Sequence, residues 1–213
     1  MARSVLLNDE NIIQVHDAGE ALSDHIVREQ DYFEREILDY LETNHKKQKT
    51  ILDVGANIGN HTLFFATHLD YQAIIAFEPI LDNYNLLKEN TDNFFGIKLR
   101  NVAVGDSTKE VKMTINRGNM GACEVDPYGN VPAHQVRIDD LFVSVVSLIK
   151  VDVEWSEIHV LEGGKNLIQE DKPLILIEDS NFSYTDYLQR LGYEIESSWP
   201  HHKTYLYKWR VLC

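Results

Sequence analysis

A glycine-containing turn stands between an apolar run and a segment of helical pattern at residues 53–62, which read DVGANIGNHT. Gly55 and Gly59 allow the backbone to turn tightly and to approach a ligand without a Cβ in the way, and a helix start behind them presents free N–H groups. In the dinucleotide-binding version, GxGxxG, the helix dipole meets a pyrophosphate. Here the third glycine is missing and Asn57 lies in the turn, which favours a ligand with an amino-acid moiety. The alternative is a tight turn that binds nothing.

One carboxylate, Glu78, directly follows the next apolar run, AIIAF, and precedes Pro79. It lies 25 residues after Asp53, close to the spacing of about 20 residues at which an acidic side chain meets a ribose in nucleotide-binding βαβ units. A carboxylate there can accept hydrogen bonds from both ribose hydroxyls. The alternative is a solvated carboxylate at a strand end. Because the turn and Glu78 follow two consecutive predicted strands, we favour a nucleoside-binding site.

A third polar group follows a later apolar run, in IKVDVEWSE at residues 149–157. In an extended segment Asp152 and Glu154 point the same way, and clustered carboxylates in a cleft raise each other's pKa, which makes a base useful near neutral pH. The alternative is that Glu154 and Glu157 cap the following helix, where its dipole favours carboxylates. We prefer capping for Glu157 and a catalytic role for Asp152.

A fourth polar group, EDSN at residues 178–181, follows the next apolar strand. Glu178 and Asp179 could join Asp152 as oxygen ligands for a hard cation such as Mg²⁺. The alternative is a polar loop at a strand end, and we prefer it, so that a divalent metal is not favoured.

Cysteine, histidine and aromatic residues carry weaker signals. Cys123 has no obvious base nearby in the sequence and is interpreted as a small buried or loop residue rather than a nucleophile. His201 and His202 could bind a metal or act as a base, but a tandem pair in a turn is more often exposed. Tyr32 and Phe33 are predicted to be core residues rather than ligand contacts.

Short apolar strands alternate with amphipathic helices along most of the chain. Such alternation predicts an α/β fold in which a parallel sheet is covered on both faces, and ligands in such sheets bind at the carboxyl ends of the strands. The predicted strands are 50–54, 73–77, 97–103, 147–151, 174–177, 193–196 and 205–209. The predicted helices are 26–43, 60–68, 81–90, 157–168 and 184–191.

The length of 213 residues corresponds to one domain with small additions. We expect residues 1–45 to form an N-terminal helical cap and residues 46–213 to form the main domain. Residues 104–146 break the alternation with several glycines and prolines among short strand-like pieces, and they are predicted to be an insertion that faces the substrate as a lid.

Composition excludes several classes of protein. The 34 acidic and 20 basic residues give a net charge of −14, which repels phosphate backbones and disfavours nucleic acid as a partner. Apolar runs fall far short of the roughly 20 residues of a membrane span. The two cysteines form neither a disulfide framework nor a zinc motif, so we expect a reducing, cytoplasmic location.

The ordered segments LDVGANIGNHTLFFA, IIAFEPILDNYNLLKEN, NVAVGD, VRIDDLF, IKVDVEWSEIHVLEGGKNLI and PLILIED resemble the FkbM-type family of S-adenosylmethionine-dependent methyltransferases. The resemblance covers about residues 20–195. It implies a Rossmann-like class I methyltransferase fold with a mostly parallel, seven-stranded sheet. It also implies O-methylation, most often of a sugar or polyketide hydroxyl.

The resemblance assigns roles to individual residues. The turn would hold the methionine and ribose parts of S-adenosyl-L-methionine, Glu78 the ribose hydroxyls, and Asn101–Ala103 would flank the adenine. Asp152 and Glu154 would line the methyl-transfer site. The implied cofactor-binding set is Asp53, Gly55, Ala56, Asn57, Gly59, Asn60, His61, Thr62, Glu78, Pro79, Asn101, Val102, Ala103 and Asp152. Trp155 departs from the glycine that the family usually has, and it would either shape the acceptor pocket or pack under the sheet edge.

The expected reaction is in-line methyl transfer to a hydroxyl of a sugar or glycan, with a carboxylate as general base. Asp152 is the first candidate for this base and Glu154 the second. The short chain is expected to be a domain of a larger glycan-modifying polypeptide. The alternatives are an RNA ribose methyltransferase, a nucleotide-binding oxidoreductase or epimerase, and a nucleotide-binding module without activity. The charge and the missing GxGxxG count against the first two.

Overall fold

The computed structural model describes residues 2–17, 19–45, 48–115, 123–179 and 184–210. Strands and helices alternate over most of this length, as the apolar pattern predicts. The strands are β1 (Arg3–Leu6), β2 (Ile12–Val15), β3 (Lys49–Val54), β4 (Tyr71–Phe77), β5 (Ile97–Arg100), β6 (Ala103–Val104), β7 (Lys109–Thr114), β8 (Glu124–Val125), β9 (Val131–Val136), β10 (Val146–Val151), β11 (Leu174–Glu178), β12 (Tyr193–Trp199) and β13 (Thr204–Trp209). The α-helices are α1 (Ala21–Glu29), α2 (Arg35–Asn44), α3 (Asn60–His68), α4 (Leu81–Thr91), α5 (Glu157–Gly163), α6 (Lys165–Asp171) and α7 (Thr185–Arg190).

Seven strands form the central sheet, in the order β12-β13-β11-β10-β3-β4-β5. The strands from β11 to β5 pair in parallel, whereas β13 pairs antiparallel with both β11 and β12. All six residues of β10 are buried, as expected for a parallel strand that is covered on both faces. The mostly parallel, Rossmann-like seven-stranded sheet is therefore confirmed.

Helices cover both faces of this sheet. Successive side chains along a strand point to opposite faces, and they divide between two hydrophobic cores: Ile51 and Leu148 belong to one core, Leu52 and Ile149 to the other. Helices α1, α2 and α3 pack into the first core, and α5, α6 and α7 into the second. Among the described helices, none has the length and apolar content to cross a bilayer.

The N-terminal segment differs from the single predicted helix 26–43. A β-hairpin, β1–β2, precedes two separate helices. Gln30 and Glu34 both have a positive φ, 52° and 59°, and this left-handed backbone interrupts the helix although the apolar spacing continues through it. The hairpin is tied to α4 because the Asn90 amide donates to the Gln14 carbonyl oxygen at 2.9 Å and accepts from the Gln14 N–H.

The insertion at 104–146 forms a small sheet of its own, in the order β6-β9-β7-β8. The predicted strand 97–103 is therefore two strands, since residues 97–100 pair with β4 and residues 103–104 pair with β9. Residues 116–122 lie outside the described part of this insertion. The small sheet lies beside the carboxyl edge of the central sheet, where Met113 and Val125 reach the cavity described below.

The predicted helix 157–168 is also two helices, which meet at Gly164. Close packing requires glycine at Gly163, where a Cβ would lie 1.9 Å from the carbonyl oxygen of Gly105. At Gly164 a Cβ would lie 3.2 Å from Ile138, which is tight but not prohibitive. The missing side chains thus let the helix pair pack closely against the insertion.

Candidate functional site

A cavity of about 410 Å³ opens at the carboxyl ends of β3, β4, β10 and β11. This is the edge at which ligands bind in parallel α/β sheets, and the volume lies in the range of small-molecule sites. Most of the residues singled out in the sequence line it. These are Gly55, Ala56, Asn57, Asn60, His61, Glu78, Pro79, Val102, Ala103, Asp152, Glu154 and Glu178.

The turn after β3 requires glycine for two reasons. Gly55 has a φ of +81°, and a Cβ there would lie 1.8 Å from the carbonyl oxygen of Asp152 on the neighbouring strand end. The turn is held against β4, because the amides of Gly55 and Ala56 both donate to the carbonyl oxygen of Phe77, at 3.1 and 2.9 Å. Asn57 completes the turn with a φ of 52°. The backbone is thus fixed where it meets the cavity.

Glu78 is a buried carboxylate at the cavity wall, with 4% of its surface exposed. One oxygen accepts from the Asn57 amide at 2.9 Å and the other from the Ile80 amide at 2.8 Å. Burial raises the pKa of Glu78 to about 7, against the opposing effect of these hydrogen bonds. The Asn83 side chain also donates to this carboxylate. Since a carboxylate has about four acceptor positions, the ionised group has room for one further donor, such as a hydroxyl of a ligand.

A buried lysine that the sequence reasoning overlooked connects the ends of β3 and β10. The Lys150 ammonium donates to the Gly55 carbonyl oxygen at 2.7 Å and lies 3.4 Å from Asp53 and 3.3 Å from Asp152. Burial disfavours its charged form, but Asp152 and Asp53 outweigh that effect and raise its pKa. The sequence contained a signal for this contact. A lysine inside an apolar strand is predicted to be buried, and a lysine is rarely buried without an acidic partner.

Two of the predicted cofactor-binding residues lie beneath the cavity wall. Asp53 has no exposed surface; it accepts from the Thr62 hydroxyl at 2.6 Å and pairs with Lys150. Thr62 is itself completely buried in α3. Neither residue lines the cavity, so their contacts fix the end of β3 to α3 rather than reach a ligand.

Two more of these residues support Glu78 and the helix behind the turn. The Asn101 amide donates to the carbonyl oxygens of Glu78 and Pro79, at 2.9 and 3.0 Å. Gly59 precedes α3 with a φ of 93°, and a Cβ there would lie 2.8 Å from Leu87. Both residues therefore hold the shape of the strand ends without lining the cavity.

Carboxylates crowd the side of the cavity formed by the ends of β10 and β11. Burial, with Asp152 and Glu157 nearby, raises the pKa of Glu154 to about 7. Burial, followed by the charges of Asp152 and Glu154, raises the pKa of Glu178 to about 8. Asp152, Glu154 and Glu178 all line the cavity. Near neutral pH this side can therefore bind or release a proton.

The backbone here is not the extended segment predicted from sequence. Strand β10 ends at Val151, and Glu154 and Trp155 have positive φ, 48° and 66°. Glu154 reaches the cavity through this bend, rather than by alternation along a strand. Trp155 is 68% exposed and does not line the cavity, so it neither shapes the pocket nor packs under the sheet. Glu157 lies in the first turn of α5, where the helix dipole favours a carboxylate, but no side chain among the described residues caps this helix and Glu157 accepts from the Tyr184 hydroxyl at 2.7 Å instead.

The proposed metal ligands are not brought together. Asp179 is buried, accepts from the Tyr184 amide at 3.0 Å, and does not line the cavity, whereas Asp152 and Glu178 do. In the described ranges, the groups of three potential ligands that lie within reach of one ion do not include these carboxylates. Residues 180–181 lie outside the described part of the chain.

The cavity is completed by residues from outside the central sheet. His25, Arg28 and Phe33 line it from the N-terminal segment, and Cys123 lines it from the insertion. The insertion thus contributes to the cavity wall. Phe33 is a lining residue rather than the predicted core residue, whereas Tyr32 is buried in the core at 1% exposure.

The model of the methyltransferase FkbM domain matches residues 53–206. The chain belongs to this family. The matched range begins at the end of β3 and ends within β13, so it contains the glycine turn, Glu78, Lys150 and the carboxylates of the cavity.

The chain is similar to one methyltransferase by sequence and to another by structure. The hexuronic acid methyltransferase AglP of Haloferax volcanii is 30% identical over 145 residues, which is 64% of this chain and 58% of the relative. The FkbM methyltransferase of Methylobacillus flagellatus KT superposes with a TM-score of 0.59 at 21% identity, over 80% of this chain and 46% of that one. The chain therefore spans about half the length of these relatives.

A more distant structure carries the cofactor. Sp1610 of Streptococcus pneumoniae, described as a candidate tRNA (m1A22) methyltransferase in complex with S-adenosyl-L-methionine, matches with a TM-score of 0.50 at 13% identity. The match covers 84% of this chain and 75% of that chain. At this identity the likeness concerns the fold alone.

The residues of this FkbM domain fit S-adenosyl-L-methionine. Glu78 offers a buried acceptor for a ligand hydroxyl, and the turn at Gly55 brings backbone without a Cβ to the cavity. The carboxylates of Asp152 and Glu154 suit a ligand that carries a positive sulfonium. Glu78, Gly55, Asp152 and Glu154 all line the same cavity.

Proposed function

We propose that the chain is an S-adenosyl-L-methionine-dependent O-methyltransferase that acts on a hydroxyl of a sugar or glycan. The observation that carries the proposal is one cavity in an FkbM domain that joins the buried Glu78 to the carboxylates Glu154 and Glu178. The relative from Haloferax volcanii, named a hexuronic acid methyltransferase, supports a sugar acceptor. Residues 46–213 form the catalytic domain in this proposal, and residues 1–45 cover it.

The cofactor end of the cavity is formed by β3 and β4. When bound, S-adenosyl-L-methionine supplies a methyl group that its positive sulfonium already activates. Glu78 would bind the ribose hydroxyls, and Val102 and Ala103 would lie beside the adenine, as the family resemblance implies; that all three line the cavity supports this arrangement. Lys150 keeps the carbonyl of Gly55 in place through a hydrogen bond of 2.7 Å. These residues bind and orient the cofactor.

The acceptor end is formed by the carboxylates that follow β10 and β11. A sugar hydroxyl is a poor nucleophile, so a base must remove its proton as the new bond forms. Asp152 lies 3.3 Å from the Lys150 ammonium, so part of its carboxylate faces that cation rather than an acceptor. Glu154 has a pKa of about 7, near the ideal for a general base at neutral pH. We therefore place Glu154 ahead of Asp152 as the base.

Charges of both signs line the acceptor side of the cavity. Asp152 pairs with Lys150. Glu154 and Glu178 have raised pKa values, and Arg28 also lines the cavity. The lining therefore admits a neutral sugar, an amino sugar or a hexuronic acid as the acceptor. The net charge of −14 for the whole chain disfavours RNA. A cytoplasmic location and membership of a larger glycan-modifying polypeptide stay predictions.

The test is transfer of a radiolabelled methyl group to a panel of acceptors. The panel contains glycosides of a neutral hexose, an amino sugar and a hexuronic acid, together with unmodified RNA. The proposal predicts label in one or more of the glycosides, at an oxygen, and far less in the RNA. Label in RNA alone, or on a nitrogen, would overturn the sugar assignment.

A further inference from the structure

Two successive histidines form the tip of the β12–β13 hairpin, and neither lines the cavity. The turn is held by backbone hydrogen bonds, from the His202 amide to the Trp199 carbonyl oxygen at 3.0 Å and from the Lys203 amide to the Pro200 carbonyl oxygen at 3.1 Å. Lys203 has a φ of 56°. The imidazole rings of His201 and His202 lie side by side, with their centroids 4.2 Å apart.

A carboxylate from another element meets both rings. Glu36 lies in the first turn of α2, and its Oε1 is in contact with Nε2 of His201 and lies 3.2 Å from Nε2 of His202. The ligand atoms of the three residues all lie within 4.8 Å of one another. In a tetrahedral zinc site with bonds of about 2.0–2.1 Å, neighbouring ligand atoms are about 3.4 Å apart. The three side chains therefore need little movement to surround one ion.

The ring of His202 packs against the N-terminal segment. It meets Phe33 edge-on at 5.7 Å between centroids, and its Nδ1 lies 3.6 Å from Oε1 of Glu34, just beyond hydrogen-bond distance. A small shift would let this carboxylate accept from Nδ1, the arrangement that orients metal-binding imidazoles. His202 is the least exposed of the three ligands, at 22% of its side chain.

The ligand types select the kind of metal. Two imidazole nitrogens and one carboxylate oxygen suit Zn²⁺ and related transition metals rather than Mg²⁺ or Ca²⁺, which prefer oxygen. The other group within reach of one ion, Asp106, His159 and Glu162, has only one imidazole. In the described residues, the hairpin tip thus offers the better transition-metal site.

We propose that Glu36, His201 and His202 form a site for Zn²⁺ or a similar transition metal, with water in the remaining position. The ion joins α2 to the β12–β13 hairpin. It lies outside the reaction site, because none of its three ligands lines the cavity. It adjoins the cavity wall through Phe33 and through Glu34, which lies 3.2 Å from His61. Its role is to hold the N-terminal cap against the main domain.

The test uses tag-free, metal-free protein, titrated with Zn²⁺ in competition with a chromophoric indicator. We expect one equivalent to bind, with affinity reduced by more than about tenfold in His201→Ala and in Glu36→Ala. His134→Ala is the matched control, since His134 is another exposed histidine paired with a carboxylate, and it should bind as the wild type does. Circular dichroism of each variant shows that it is folded.

Thermal unfolding gives a second readout that does not depend on activity. One equivalent of Zn²⁺ should raise the Tm of the wild type and of His134→Ala, but not that of His201→Ala, because an ion that binds only the folded state stabilises it. Absence of saturable binding by the wild type would overturn the site. Equal affinity in wild type and His201→Ala, or loss of binding in His159→Ala instead, would also overturn it.

Discussion

The Lys150 ammonium donates a hydrogen bond of 2.7 Å to the carbonyl oxygen of Gly55. The two residues belong to neighbouring parallel strand ends, β10 and β3. The same ammonium faces the carboxylates of Asp53 and Asp152, so one buried cation joins the glycine turn to the acidic side of the cavity. The shape of the cavity thus depends on a residue that touches both of its ends.

Replacement of Lys150 by methionine should therefore destabilise the protein strongly. Asp53 would keep its burial and lose its cation, and removal of one partner from a buried ion pair typically costs about 3–5 kcal/mol. Urea unfolding measures the loss. Lys109→Met is the control, because the Lys109 side chain is 54% exposed and its removal should change stability by less than about 0.5 kcal/mol. Equal stability of the two variants would contradict the account.

Two glycines with similar backbone conformations allow the stability cost of a positive φ to be measured separately from the cost of a steric clash. Gly55 and Gly19 have φ values of 81° and 96°, but a Cβ on Gly55 would lie 1.8 Å from Asp152, while one on Gly19 meets nothing within 4 Å. Alanine at either position bears the strain of positive φ. We expect Gly55→Ala to be less stable than Gly19→Ala by a further amount of about 1–3 kcal/mol, measured by urea unfolding. Equal losses would mean that the close approach is absent.

Glu178 should make stability depend on pH. Its pKa rises from an ordinary 4.5 to about 8 on folding, through burial and the neighbouring Asp152 and Glu154. Between these values the folded state holds more protons than the unfolded state, so this group lowers stability as pH rises from about 4.5 to 8. Glu178→Gln should therefore be more stable than the wild type at pH 8 and show little gain at pH 4. A gain independent of pH would contradict this.

Glu154 should set the pH dependence of turnover if it is the base. The reaction needs its ionised form, so kcat should rise with pH through about 7, the pKa of this carboxyl. Glu154→Gln should lower kcat by about 10²–10⁴-fold while it leaves cofactor affinity within a few-fold. Asp152→Asn and the exposed Glu110→Gln are the comparisons. A larger loss in Asp152→Asn, with the pH profile retained in Glu154→Gln, would return the role to Asp152.

The sheet and the cofactor end of the cavity were predictable because their signals are local. A glycine turn after one apolar strand and Glu78 after the next must meet when the strands are parallel neighbours, and β3 and β4 are such neighbours. Burial of whole strands likewise appears as near-continuous apolar runs. The sheet and the cofactor end of the cavity can therefore both be predicted from the sequence of short segments.

Other features depend on contacts between distant segments. The breaks at Gln30 and Glu34 are left-handed turns without a glycine, and the apolar spacing gives no sign of them. Phe33 reaches the cavity only because the N-terminal segment folds back over the sheet edge. The role of Lys150 depends on Asp53, which lies on another strand.

The central claim is that Glu78 binds the cofactor at the end of β4, and calorimetric titration with S-adenosylhomocysteine tests it most directly. Wild-type protein and Glu110→Gln, an exposed carboxylate control, should bind one equivalent with equal affinity. Glu78→Gln should bind at least about tenfold more weakly, since it loses the charge of the acceptor that meets the ribose. No binding by the wild type, or unchanged affinity in Glu78→Gln, would contradict the account.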